Sequence, residues 1–356
     1  MKRIGLLYAA ENTFPNALIE RINSKNVSGV LAESVRIDQA SPVSPLNYDL
    51  IIDRIGPTIP FYQSVLKQAA LQGTTILNNP FWVGTDEKFF NMNVALKLGI
   101  PIPKTVLLPS KERPDGTSEN SFRNLSFPMA WEEMFRYVGF PAFLKPHRRI
   151  GHKKVFKVVN AHDLWHKHEE TGQEAMMLQQ EIKFDAYFRC YYVGGEQVLI
   201  MPYEPHNPHH LRYATENRIP EEKRTALLGQ METMTIRLNK ALGYDISAVE
   251  FAIQGDTPYL IDPCDPIPDA DIYSIGPEYF EWVVEAVANL AISKALYEYK
   301  SENHLTWGDS VGWPLTNTHR AGLDTKENLI TKGKQSGPNT KANKPTLKKD
   351  TAPKKA

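Results

Sequence analysis

The chain opens on "RIGLLYA", an apolar run without polar alternation, as expected of a strand covered on both faces. "NALIERIN" then places its apolar residues at helical spacing. "DLIIDRI" reads as a second buried strand, "FYQSVLKQAALQG" as a helix and "TTILNN" as a third strand. Strands alternating with helices over roughly the first hundred residues predict a parallel α/β layer. "EKFFNMNVALKLG" reads as a helix closed by Gly99, and "IPIPKTVLLP" as an extended linker into a strand. From about residue 138 the texture changes. "PAFLKP" and "KVFKVV" are short strands flanking the basic turn "HRRIGHKK", and "AMMLQQEI" is another strand. "YFRCYYVGGEQVLIMPY" and "SAVEFAIQGDTPYLID" each read as a hairpin, turning at Gly194-Gly195 and at Gly255-Asp256. "PEYFEWVVEAVANLAISKALYEY" is an amphipathic helix with Pro277 in its first turn. This second region is α+β, built on antiparallel strands.

Composition narrows the setting. With 356 residues, 42% hydrophobic and 10% aromatic, the chain has material for two or three lobes with real cores. Bases and acids balance at 41 each, so net charge points to neither nucleic acid nor a membrane surface. Cys190 and Cys264 make no disulfide framework and no structural zinc site without other ligands, which fits a reducing, cytoplasmic setting. The start "MKRIGLLYAAEN" has bases and a short apolar run, but polar residues follow at once, so a first strand is expected rather than a signal peptide. No stretch approaches the length of a membrane span. Beyond about residue 305 the periodicity fades into "TKGKQSGPNTKANKPTLKKDTAPKKA", which lacks the apolar surface to offset its ordering entropy. Residues 305–356 are expected to form a disordered lysine-rich tail, the one segment suited to touching nucleic acid or acidic lipid.

Candidate chemistry gathers at strand ends. Lys145 closes the apolar strand "PAFLKP", an expensive place for an unpaired ammonium, and the crowded cations of "HRRIGHKK" follow it. A snorkelling lysine and a solvated turn explain each alone; a bound phosphate explains both. Arg189 on its strand suits a phosphate oxygen or pairs with Asp185. Glu250 sits among apolar neighbours, and hairpin pairing brings Asp262 toward it, with Asp265 three residues on. Converging carboxylates repel unless a cation compensates, and hard oxygen ligands suit Mg²⁺. Cations for phosphate beside acids for magnesium point to bound ATP. The histidines of "EPHNPHHLRY" and "WHKHEE" match no strong zinc spacing and read as histidine-bearing loops.

In this order the residues resemble the ATP-grasp superfamily, and within it the RimK-type carboxylate–amine ligases. "DLIIDRIGPTIPFYQSVLKQAALQGTTILNN" with "DEKFFNMNVALKLGIPIPKT" is similar to the RimK-type N-terminal lobe. "GFPAFLKP", "LQQEI", "DAYFRCYYVGGEQV" and "AVEFAIQGDTPYLID" are similar to the ATP-grasp core. The resemblance implies a Rossmann-like parallel α/β lobe over 1–100 and a two-lobed ATP-grasp domain with antiparallel sheets, its central lobe over 101–186 and its C-terminal lobe over 187–304.

By the same resemblance, Lys88, Lys145 and Arg189 face the nucleotide phosphates, and Gln179 to Ile182 hold the adenine, chiefly through Gln180, Glu181 and Ile182. Glu181 and Asp185 come near the base and ribose, and Glu250 and Asp262 bind Mg²⁺ (or Mn²⁺). Where the family carries an asparagine as a further metal ligand this chain has Cys264, and Asp265 next to it offers the oxygen instead. The lid keeps one glycine and substitutes cations. Arg212 and Arg218 fall where this fold lines its acceptor cleft. The implied activity joins a small-molecule or peptide carboxylate to an amine through an acyl phosphate, releasing ADP and phosphate. A non-catalytic Mg-ATP-binding module and a kinase on the same fold are the alternatives. Homo-oligomerisation is left open.

Overall fold

Three four-stranded sheets organise the described part of the chain. The computed structural model describes residues 1–81, 87–148, 154–213, 215–216 and 218–297, all of them inside one compact unit, Met1–Pro314. The tail expected over 305–356 lies outside the described residues.

The first sheet comprises β1 (Lys2–Leu7), β2 (Val30–Ser34), β3 (Leu50–Asp53) and β4 (Thr75–Leu77), with α1 (Phe14–Ser24) and α2 (Pro60–Leu71) between strands. Its order is β2-β1-β3-β4 and every pairing is parallel, as the alternation predicts. β3 shows why its sequence is continuously apolar. Leu50 and Ile52 enter the core beneath α1, while Ile51 enters a second cluster on the opposite face with Leu66 and Ala69 of α2.

After α3 (Lys88–Lys97), the central sheet is formed by β5 (Thr105–Leu108), β6 (Ala142–Pro146), β7 (Phe156–Val158) and β8 (Met176–Gln180), in the order β5-β8-β6-β7 and antiparallel throughout. α4 (Trp131–Val138) and α5 (Ala161–Glu169) contribute Val138 and Leu164 to its core, with Leu108, Leu144 and Leu178.

The third sheet comprises β9 (Ala186–Val193), β10 (Gln197–Pro202), β11 (Ile246–Gln254) and β12 (Thr257–Asp265), ordered β10-β9-β11-β12 and antiparallel. Both predicted hairpins are present. At the tip of the first, Gly194 and Gly195 have φ of +54° and +99°, which residues with a Cβ adopt reluctantly. One face packs on α6 (Glu221–Leu242). The other shares a core with the first sheet through α8 (Pro277–Leu296): Leu6, Leu18 and Leu50 join Tyr191, Val193, Val283 and Val287. The described part is mixed α/β, one parallel and two antiparallel sheets, in agreement with the architecture expected from the sequence. Among the described residues no helix is long and apolar enough to cross a membrane.

α6 is the longest helix described, and the apolar pattern does not announce it. Its buried positions include Leu227, Met231 and Leu238, but also Thr235 and Asn239, which break the stripe. Asn239 is satisfied internally. Its amide donates to the Thr235 carbonyl at 2.8 Å and its oxygen accepts from the Ser247 hydroxyl.

Candidate active site

β9, β11 and β12 set the site in one row. Antiparallel register puts Arg189 opposite Glu250, and Glu250 opposite Asp262. Simple alternation does not give this arrangement. Phe251 pairs with Leu260 in the apolar layer against α6, so period two would send Asp262 into that layer with Leu260. Two register shifts, one on each side of the Glu250–Asp262 pair, insert extra β12 residues. Asp262 thereby meets Glu250, and Asp265 meets Ala248. Cys264 takes φ of +39° within the second shift and turns its side chain into the α6 layer, with Sγ 3.6 Å from Asn239 Oδ1.

Around this row the charges interlock. Arg189, 8% exposed, donates to Asp265 Oδ2 at 2.6 Å and stands 3.6 Å from Glu250. Tyr187, two residues before Arg189 and therefore on the same face, donates its hydroxyl to Glu250 at 2.7 Å. Lys88, the first residue of α3, pairs with Asp262 at 2.8 Å. Lys145, next to last in β6 and 7% exposed, donates to the Ile261 carbonyl, inside the first register shift, at 2.9 Å. Burial lowers its pKa to about 8, with Asp262 and Glu250 opposing the shift and Lys88 reinforcing it. Burial also raises the Tyr187 phenol well above its usual value, and Glu250 raises it further. Lys88, Lys145, Arg189, Glu250, Asp262 and Asp265 are thus brought together where α3, the end of β6 and the third sheet meet.

The other expected residues are placed as follows. Glu181 pairs with Lys157 at 2.6 Å, and its N–H donates to the Pro141 carbonyl. The Gln180 N–H is bonded to Lys104, and Ile182 is buried in the shared core. Asp185 accepts from the Gly255 N–H at 2.9 Å, so its carboxylate holds the β11–β12 turn. Arg212 reaches the cluster indirectly, through the Tyr203 hydroxyl at 3.2 Å, while Arg189 lies 5.9 Å from the Tyr203 ring centroid. Arg218 stands apart, exposed and 3.5 Å from Glu204. Of the basic turn, Arg148 pairs with Glu87 and Lys154 with Glu174, whereas Arg149, His152 and Lys153 lie outside the described residues.

Asp265 departs from its expected part as an open oxygen ligand. One oxygen receives Arg189 and the other the Ile267 N–H at 3.0 Å. Among the described residues no three His, Cys, Asp or Glu side chains converge on a metal position. That is compatible with Mg²⁺, which one or two carboxylates hold jointly with substrate phosphates rather than in a protein cage. Among the described residues, buried Arg189 Nε and the Tyr213 hydroxyl have no hydrogen-bond partner, as in a site that a ligand completes. Residues and chemistry fit a magnesium nucleotide.

Pattern reading passes over the supports of the turn. Asn78, at the end of β4, accepts from the Asp245 and Ile246 N–H groups and donates to the Ile246 and Pro266 carbonyls. Arg54, buried over the Phe14 ring and paired with Glu11, donates to the Pro268 carbonyl at 2.8 Å. Asp271 caps the single turn α7 (Ile272–Ile275), and Asp269 accepts from the Asp271 N–H and the Ser274 hydroxyl. These two acids organise the backbone that follows β12.

The fold so built is the ATP-grasp fold. Solved structures similar to the chain include a RimK-domain ATP-grasp protein from Sphaerobacter thermophilus, at 18% identity and a TM-score of 0.58, covering 82% of this chain and 99% of that one. D-alanine–D-alanine ligase from Bacillus anthracis, complexed with ATP, is similar at 16% identity and a TM-score of 0.57, over 83% of this chain and 97% of that one. VanG D-Ala:D-Ser ligase from Enterococcus faecalis matches at 14% identity and 0.57, over 83% and 99%. No protein-family model matches the chain, and no curated protein matches it significantly.

Proposed function

We propose that the protein is an ATP-dependent carboxylate–amine ligase. The observation that carries this reading is the convergence of Lys88, Lys145 and Arg189 on Glu250 and Asp262, cations and carboxylates meeting at the junction of the lobes. The lysines and Arg189 hold the polyphosphate, and residues 180–182 flank the base. Asp185 we assign to the β11–β12 turn rather than the ribose, and Asp265 to orienting Arg189 rather than to metal. Glu250 and Asp262 would hold Mg²⁺, which supplies charge neutralisation at the phosphates. In the first step a substrate carboxylate oxygen attacks the γ-phosphorus, the β–γ bridge breaks, ADP leaves and an acyl phosphate forms. An amine then attacks the acyl carbon, phosphate departs and the amine's proton is lost to solvent. Neither step needs a side-chain nucleophile; the chain positions reactants and stabilises charge. Arg212, linked through Tyr203, is assigned to the acceptor side, with Arg218 at its rim. Residues 1–100 are read as a Rossmann-like lobe, and the nucleotide lies between the lobes 101–186 and 187–304. The setting is cytoplasmic.

Hydroxylamine tests this without knowledge of the amine, because it converts an acyl phosphate into a hydroxamate. Incubation with Mg-ATP, hydroxylamine and a panel of carboxylic and amino acids is expected to give hydroxamate and ADP in equal amounts for at least one acid. Mg-ATP binding with no turnover on any acid would instead select a regulatory nucleotide-binding module, a reading favoured by the occupation of Asp265 by Arg189.

A further inference from the structure

Register alone would join Arg189 to Glu250. The two stand directly opposite on β9 and β11, where side chains come within reach of each other, and both are largely withdrawn from solvent. An arginine and a carboxylate so placed ordinarily close to about 2.8 Å. Here the gap is 3.6 Å, and each partner is drawn to a third residue. Arg189 gives Nη2 to Asp265 at 2.6 Å, while its Nη1 faces Glu250. Glu250 in turn accepts from the Tyr187 hydroxyl on Oε2, at 2.7 Å. The pair that the sheet favours is therefore held open from both sides.

Tyr187 is itself fixed. It lies diagonally across from Glu250, since its own register partner on β11 is Ala252. Its ring is buried, edge-on to Phe184 at 5.2 Å between centroids and tilted against Tyr203 at 5.8 Å. Its carbonyl accepts from the Tyr203 N–H at 2.9 Å. Ring and backbone together aim the phenol at Glu250, and a neutral donor holds a carboxylate without cancelling its charge. A guanidinium does not. Closure of Arg189 on Glu250 would consume the charge of both, and a buried pair of that kind is hard to part again.

We propose that Tyr187 is a positioning residue of the nucleotide site. Its hydroxyl keeps Glu250 off Arg189, so that the carboxylate stays open to a divalent cation and the guanidinium to a phosphate. The inference rests on the metal and phosphate roles proposed above and adds the residue that keeps them apart. Loss of the hydroxyl should impair cation and phosphate binding together, and both through Glu250.

Mn²⁺ and ADP are the probes, because neither needs turnover. Mn²⁺ held by the full chain with ADP is counted by loss of the free-ion EPR signal, and ADP affinity without metal is measured by calorimetry. Tyr187→Phe deletes one oxygen and keeps the ring. It should weaken Mn²⁺ about tenfold, as loss of the outer partner of a metal ligand commonly does, and metal-free ADP several-fold. In the Glu250→Gln background no carboxylate competes for Arg189, and the same change should alter neither affinity by more than about twofold. Replacement of Tyr187 by 4-fluorophenylalanine, which fills the same space and cannot donate, should reproduce Tyr187→Phe and stands in for it if that variant fails to fold. Replacement by 4-aminophenylalanine, which donates, should bind both probes as the wild type does. Suppose the wild-type chain binds Mn²⁺ and ADP. Unchanged binding of either probe on loss of the hydroxyl, deficits that persist in the Glu250→Gln background, or deficits that 4-aminophenylalanine leaves unrepaired would then overturn this inference alone. A wild-type chain that binds neither probe would overturn the nucleotide reading and the inference with it.

Discussion

Lys145 shows how far one side chain can be pushed by its place on a strand. Its ammonium is buried near the end of β6, and its pKa falls to about 8 from the usual 10.5. Between those values the unfolded chain holds a proton that the folded chain has released, so this group makes stability rise with pH across that window. The cost of burying the charge is fully present below pH 8. The nucleotide-free protein should gain about 3 kcal/mol from this residue between pH 8 and 10.5, and Lys145→Met should flatten that slope in urea melts at successive pH values. Asp265 and Asp262 separate in a second experiment. Asp262→Ala should raise the Mg²⁺ concentration for half-maximal ATP turnover at least tenfold. Asp265→Ala should leave that midpoint near wild type but lower stability by about 3 kcal/mol, because it strips a buried guanidinium of its nearest carboxylate. Coincident metal titrations for the two variants would return Asp265 to the metal. Lys88, on a helix, came only through the resemblance to ATP-grasp ligases, whereas Lys145, Arg189, Glu250 and Asp262 were legible in the sequence as charges on strands, at their ends or among apolar neighbours. The partner of Asp265 was not, since alternation places residues 262 and 265 on opposite faces of a regular strand.

At the scale of elements, the strands and the two glycine hairpins could be read from runs and turns, because both follow from local stereochemistry. β2, α4, α5 and α6 could not. In α6 the buried stripe contains Thr235 and Asn239, whose hydrogen bonds close inside the fold and leave no trace in hydrophobic spacing. The register shifts of β12 escape for a similar reason, being decided by what β11 and Lys145 offer across the sheet. Asn78 ties the end of β4 to this region with four hydrogen bonds. Asn78→Ala leaves buried N–H and carbonyl groups unmatched and should cost about 2–4 kcal/mol by chemical denaturation. Asn78→Asp, which keeps the acceptor and loses the donor, should restore part of that loss.

Across the whole molecule, cores rather than sequence distance decide what moves together. The first and third sheets share one core through α8, although their strands lie far apart in the chain. The central sheet has its own, around Leu144, Leu164 and Leu178. Leu164→Ala should cost about 2–5 kcal/mol, and the loss should be local. Hydrogen exchange is expected to accelerate over β5 to β8 and to stay unchanged in β9 to β12. Acceleration spread evenly through all three sheets would show that the cores open as one.

The turning of Cys264 away from the acids has a consequence for reagents. Cys190 on β9 and Cys264 on β12 are the only thiols of the chain, both unbridged and both buried against α6. Burial pushes Cys190 up to about 12 and Cys264 higher still, so neither offers a thiolate while the sheet is closed. Alkylation by iodoacetamide therefore reads the opening of the strands that carry the site, with no label to install. Labelling of the native chain should be slow and single-exponential, and it should accelerate in step with Asn78→Ala. A nucleotide seated against Arg189 and Asp262 should slow it in proportion to its occupancy, so that the two sulfurs report binding by a molecule they never touch.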